Sequence, residues 1–198
     1  MTYQEALQRL GETTERSLLS LFGQYRSGML THDHFIRLGA QVIGVAHQQG
    51  RMVAELSLLS WLRTVDPEAV PVAAPAHDHY TDVARLERAL QTTVPAAADD
   101  AAAAAEASRR LGRLAYAESV ESSQQAFHEG MLRTALVEGW TRGLEPDACQ
   151  LCRWWWREGQ VWPKEHRMPT HKGCTCTQIP RTRKIQYREG TLTDPSRT

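Results

Sequence analysis

Five side chains able to hold a metal ion gather near the C-terminus: Cys149, Cys152, His171, Cys174 and Cys176. They are spaced as C-x2-C, eighteen residues, then H-x2-C-x-C. A C-x2-C turn sets two thiolates on one side of a tight knuckle, and a second group further along can complete a tetrahedron. Five candidates compete for four positions. Cys149, Cys152, His171 and Cys174 form the favoured set, with Cys176 the alternative to His171 or Cys174. In an extended segment the x1 spacing would point Cys174 and Cys176 to opposite faces. One of them is then expected to bind metal while the other packs as a small hydrophobe. Ligand number, type and spacing suit zinc, and the surplus of protein ligands suits a structural rather than a catalytic ion.

Other readings of these cysteines compete. Two disulfides are possible, but Met1-Thr2-Tyr3-Gln4-Glu5 lacks the basic start and apolar core of a signal peptide. The expectation is therefore a reducing compartment, which disfavours disulfides. A redox C-x2-C would need a βαβ surround that the sequence lacks. Glu165 and His166 lie between the ligand pairs and read as solvated loop residues. His77-Asp78-His79 follows a Pro-rich stretch without a third ligand, and reads the same way. Asp33, between His32 and His34, suits the first turn of a helix. No phosphate-binding glycine loop, nucleophile elbow or H-E-x-x-H helix is present.

The surroundings of the cysteines are unusual. Trp140, Trp154, Trp155, Trp156 and Trp162 lie beside them, five of the chain's six tryptophans. Trp154-Trp155-Trp156 cannot all face one core. At least one is expected to dock on a long helix near Trp140, and an exposed remainder would mark an interface. The formal net charge of zero hides a division. Residues 1–152 carry 13 basic and 19 acidic side chains, and residues 153–198 carry 10 and 4. A basic end favours an acidic surface or nucleic acid.

The elements that must position this module are helical. Residues 3–26 place Leu7, Leu10, Leu18, Leu21, Phe22 and Tyr25 at helical spacing. Thr31 can cap a second helix to about Leu62, with Phe35, Leu38, Val42, Val45, Met52, Leu56 and Leu59 as its apolar stripe. Pro67, Pro71 and Pro75 break the pattern. Thr81 opens a short helix carrying Val83, Leu86 and Leu90. An alanine-rich run behind Asp99 and Asp100 starts a long helix to about Val137, which needs other helices or another subunit to lie against. The fold expected is mainly α, a bundle or extended hairpin with a small C-terminal α+β metal module. Its parts are N-terminal helices (1–65), a Pro-rich linker (66–80), a region with the long helix (81–139), the Cys/His module (140–180) and a basic tail (181–198).

Trp140-Thr141-Arg142-Gly143-Leu144-Glu145-Pro146-Asp147-Ala148-Cys149-Gln150-Leu151-Cys152, then Gly159, Pro169, His171, Cys174-Thr175-Cys176 and Pro180, resembles the C-terminal signature of the phage Mu F-like minor head (head morphogenesis) proteins. That signature has a Trp, an Asp before C-x2-C, a Gly in a short hairpin, then Pro, His-Pro and Cys-Arg-Cys. Lys172 and Thr175 depart from it, which spares the ligands and removes any contact made by the Arg. The resemblance spans about residues 138–180, a fifth of the chain.

The resemblance implies a minor capsid protein of a tailed-phage virion. Such a protein is made in the host cytoplasm, associates with the portal or the major capsid protein, and acts in head assembly or DNA packaging and ejection. Arg181, Arg183, Lys184 and Arg188 are the residues expected to meet the portal or packaged DNA. Proteins at this genome position are sometimes labelled capsid maturation proteases, for which no Ser/His/Asp arrangement is found here. A zinc-ribbon nucleic-acid-binding protein is the alternative, against which the acidic first two-thirds counts.

Overall fold

A computed structural model describes residues 1–72, 79–94 and 100–182. Its elements are α1 (Tyr3–Arg26), α2 (His32–Val65), α3 (His79–Thr93), α4 (Ala101–Arg133), β1 (Gly139–Gly143), α5 (Gln150–Trp156), β2 (Trp162–Pro163) and β3 (Thr177–Arg181). The chain is mainly helical, with a small C-terminal antiparallel sheet and a Cys/His cluster beside it. Among the described residues, no helix is long and apolar enough to cross a membrane.

Local chemistry sets the helix ends. Thr2 and Glu5 make a reciprocal capping box at α1, and the hydroxyl of Thr31 accepts the His34 N–H at α2. The carboxylate of Asp100 accepts the Ala103 N–H at α4. Helix α4 stops at Arg133, four residues before the sequence-based expectation. Thr134 caps it, and its hydroxyl accepts the Leu136 N–H at 3.3 Å. This turn swings Val137, ahead of β1, and Trp140, within it, into the core.

Helices α1, α2 and α4 pack on one another, and α3 lies on α2. One apolar cluster joins Leu18 and Phe22, Phe35 and Ile43, Leu86 and Leu90, and Leu111. A second joins Leu58, Leu62, Phe127 and Met131 to Val137, Trp140 and Met168. The second cluster gives the helices and the start of the cysteine module a common core.

Of the expected α2 stripe, Phe35 and Leu59 are buried, but the rest of the buried face differs from it. Leu38, Val45, Met52 and Leu56 are exposed, whereas Gly39, Ala40, Ile43, Gly44, His47, Gly50 and Ala54 face inward. Small residues win that face because the helices approach closely there. A Cβ at Gly50 would sit 3.1 Å from Ser123 Cβ and 3.2 Å from the Ser119 carbonyl oxygen. Ser123 in turn donates to the Gly50 carbonyl at 2.7 Å, and Tyr3 meets the Ser123 hydroxyl at 3.1 Å.

An ion network that the periodicity did not signal fastens α3. His47 on α2 lies 2.8 Å through Nδ1 from Asp82 and 3.3 Å through Nε2 from Glu118 on α4. Arg85 bridges Asp82 at 3.1 Å and Glu118 at 2.7 Å. Burial raises the Glu118 carboxyl, but Arg85 and His47 outweigh it and hold the group down at about 2.

Two predictions follow from this packing. Gly50→Val should lower the melting temperature by roughly 3–10 °C, because overpacking costs about 1–3 kcal/mol. An unchanged thermal unfolding curve would refute the close approach. Because the Glu118 pKa is depressed on folding, its contribution is complete above its ordinary value of 4.5 and is lost as pH falls towards about 2. Glu118→Gln should therefore flatten the acid limb of the stability–pH profile.

Candidate metal centre

Strand β1 lies between β2 and β3, antiparallel to both, with Trp140 opposite Trp162 on one side and Pro180 on the other. The β1–α5 connection carries the first knuckle, and the segment before β3 carries the second group. Both groups are therefore delivered to one end of the sheet. Cys149 is the N-cap of α5, and its sulfur accepts the Cys152 N–H at 3.5 Å. The second turn depends on Gly173, whose φ of +85° suits glycine. There the Cys174 N–H reaches the His171 carbonyl at 3.0 Å.

The sulfurs and the imidazole converge. His171 Nε2 lies 3.3 Å from Cys149 Sγ and 3.1 Å from Cys152 Sγ. Cys152 Sγ lies 3.5 Å from Cys174 Sγ. Two groups of donors, each with all its atoms within 4.8 Å of one another, meet at Cys152. One is Cys149, Cys152 and His171; the other is Glu145, Cys152, Cys174 and Cys176. This Cys/His cluster could hold a metal ion.

Cys174 and Cys176 do not split between two faces. The segment they occupy is not a regular strand, and both are buried in one cluster with Ala148 and Cys152. Helix α4 pins this segment through Gln124, whose amide donates to the carbonyls of Cys174 at 2.9 Å and Cys176 at 2.8 Å. From α1, Gln4 donates to the Thr175 carbonyl at 3.2 Å. The Glu145 carboxylate accepts both the Thr175 N–H, at 3.1 Å, and the Thr175 hydroxyl. Thr175 thus has its own partner at the position where the resembled signature carries Arg.

The electrostatics separate the four thiols. Burial pushes Cys152 up to about 12. The Cys152 backbone N–H holds Cys149, at the surface, below the ordinary thiol value. Cys174 and Cys176 share a hydrogen bond that pushes Cys174 up and holds Cys176 down at about 6, where the Glu145 backbone N–H also supports its negative charge. Metal binding must expel the protons held on the buried sulfurs, so affinity falls in acid.

Arg142 is a site residue that sequence reasoning missed. Its side chain is buried at 2 % exposure, with Nη1 3.9 Å from Cys152 Sγ and 4.0 Å from Cys174 Sγ. Arginine in a Thr-Arg-Gly strand gives no sign of burial. Its inward place on β1 follows only from the sheet register.

The tryptophans part company. Trp155 is half-buried, 5.4 Å above the Arg142 guanidinium and 6.3 Å from the His171 ring. Trp154 and Trp156 are exposed. The expected docking on the long helix near Trp140 is replaced by packing on the cysteines, because a residue three positions after Cys152 shares its helix face. Trp140 instead stacks with Trp162 and His166, and its indole N–H donates to the His166 carbonyl at 2.8 Å. His166 is therefore held by ring stacking, 4.4 Å from Trp162 between centroids.

Arg181 ends β3, and its carbonyl accepts the Glu138 N–H at 2.9 Å. Arg183, Lys184 and Arg188 lie outside the described residues, as do His77 and Asp78. A polar cleft of about 400 Å³ runs beside the centre, lined by His47, Arg85, Glu118, Glu121, Gln124 and Arg167 among others.

Cys152 belongs to both donor groups, so Cys152→Ser should abolish stoichiometric metal binding. Chelation of the wild type should leave the far-UV helical signal largely in place and make the 144–176 segment sensitive to protease. Equal metal content in the Ser variant, or equal protease resistance after chelation, would contradict the assignment. Compared with family models, curated proteins and solved structures, the chain matches none.

Proposed function

We propose that the chain is a structural assembly protein of a tailed-phage head, in which a structural zinc clips the C-terminal module to the helical body. The observation that carries this reading is the meeting at Cys152 of two donor groups, one with Cys149 and His171 and the other with Cys174, Cys176 and Glu145. The cysteines and histidine of these groups are among the residues on which the resemblance to the Mu F-like minor head proteins rests.

Cys149, Cys152, His171 and Cys174 would hold the ion. Zinc bound there would supply a crosslink between the knuckle before α5 and the turn before β3. Cys176 is left as a buried sulfur supported by Cys174 and the Glu145 N–H. The donor set fits zinc on its own chemistry: three soft sulfurs and one imidazole. The segment between β1 and β3 buries few large apolar side chains, so much of its order would come from the metal.

The surface also supports an assembly role. Leu38, Val45, Met52 and Leu56 recur along the outer side of α2, and Trp154 lies 65 % exposed on α5. Apolar side chains spread in this way suit contacts with a portal or major capsid protein.

Antibody detection in purified particles, together with pull-down by the portal protein, tests this reading. The wild-type chain should enter particles and be retained by the portal. Cys152→Ser should lose at least tenfold in incorporation while its helical circular dichroism persists. Absence of the wild-type chain from particles would overturn the reading.

A further inference from the structure

Arg142 poses a problem of charge. Its side chain is 2 % exposed, and Nε is buried without a hydrogen-bond partner. One Nη donates to the Pro169 carbonyl, and the other lies 3.9 and 4.0 Å from the sulfurs of Cys152 and Cys174. Trp155 covers one face of the guanidinium at 5.4 Å. Among the described residues Arg142 forms no ion pair with a carboxylate. The acid in the neighbourhood, Glu145, is engaged by Thr175. A guanidinium stays protonated in proteins, and burying it without a counter-charge is costly. Neutral thiols or a Cys152–Cys174 disulfide would leave that cost in place.

We propose that Arg142 is the fixed counter-charge of a three-thiolate metal centre and the positioning residue for Cys152 and Cys174. The inference rests on the metal-binding reading above and deepens it. A divalent ion with three thiolates and one neutral imidazole carries one net negative charge, which the guanidinium neutralises. A divalent ion with two thiolates and two neutral ligands carries none, and would not itself match the buried cation. Arg142 therefore favours a centre with three sulfurs, Cys152 and Cys174 among them, over any set with two. Its two donor contacts, at similar distances, also fix the spacing of Cys152 and Cys174. Hydrogen bonds to thiolate ligands of this kind tune affinity and geometry. Lysine can return the charge and a donor to the same place, so it separates charge from side-chain shape.

The test uses the full chain as wild type, Arg142→Met and Arg142→Lys. Zinc affinity is measured by competition with a chromophoric chelator, and the thiolate count by the resonance of bound cadmium-113. The wild type should show a three-thiolate cadmium resonance. Arg142→Met should weaken zinc binding about 10–100-fold, with Arg142→Lys recovering most of the loss. Wild-type-like affinity in the Met variant, or a two-thiolate resonance in the wild type, would overturn the proposal. A loss in the Lys variant as large as in the Met variant would also overturn it, by assigning the effect to shape rather than charge. Should the Met variant fail to fold, the wild-type resonance and the Lys variant decide between the same outcomes. A wild type that binds neither metal would overturn the metal-binding reading itself, an outcome distinct from all of these.

Discussion

The sulfur of Cys152 is the point at which the two donor groups of the cysteine module meet. It lies 3.1 Å from the His171 imidazole and 3.5 Å from the Cys174 sulfur, and it belongs to both groups of donors. Around it the chain has little else to fold on, since the third apolar cluster comprises Ala148 and three cysteines, with Leu144 and Trp155 at its edge. A metal ion held there would tie a segment poor in apolar area. The sheet brings the two tie points together, and the helices hold the sheet.

That dependence runs both ways between module and body. Gln124 on α4 and Gln4 on α1 grip the carbonyls of three successive residues, Cys174, Thr175 and Cys176. Trp140 and Met168 enter the same apolar cluster as Leu58 and Phe127. The two charge regions apparent in the sequence are thus joined by a shared core and by amide-to-carbonyl bonds. A change in the metal site would be felt at α4, and a change in α4 at the second turn.

Much of the scaffold could be read from the amino acids. Thr31 as a cap, the Pro67 break and the alanine-rich start of α4 are local signals, and local signals specify helix ends well. The cysteine spacing was legible because ligand geometry restricts sequence separation. The buried face of α2 was not, because glycines and alanines at 39, 40, 44, 50 and 54 carry no hydrophobic signature, while Leu38, Val45, Met52 and Leu56 do. Close helix approach, a tertiary property, turned four of the expected positions outward while Phe35 and Leu59 stayed buried. Arg142 and the His47–Asp82–Glu118–Arg85 network were hidden for a related reason: a buried charge reads as a surface charge until its partner is placed beside it. Residues 82 and 118 meet residue 47 only through the packing of three helices.

The central claim is that a metal ion, held mainly by sulfur, closes the C-terminal module. X-ray absorption at the zinc edge on the purified full-length chain tests it most directly. The account predicts one zinc per chain, with sulfur neighbours at about 2.3 Å and a nitrogen neighbour at about 2.0–2.1 Å. A protein with no stoichiometric metal, or one whose zinc is surrounded chiefly by oxygen, would contradict it.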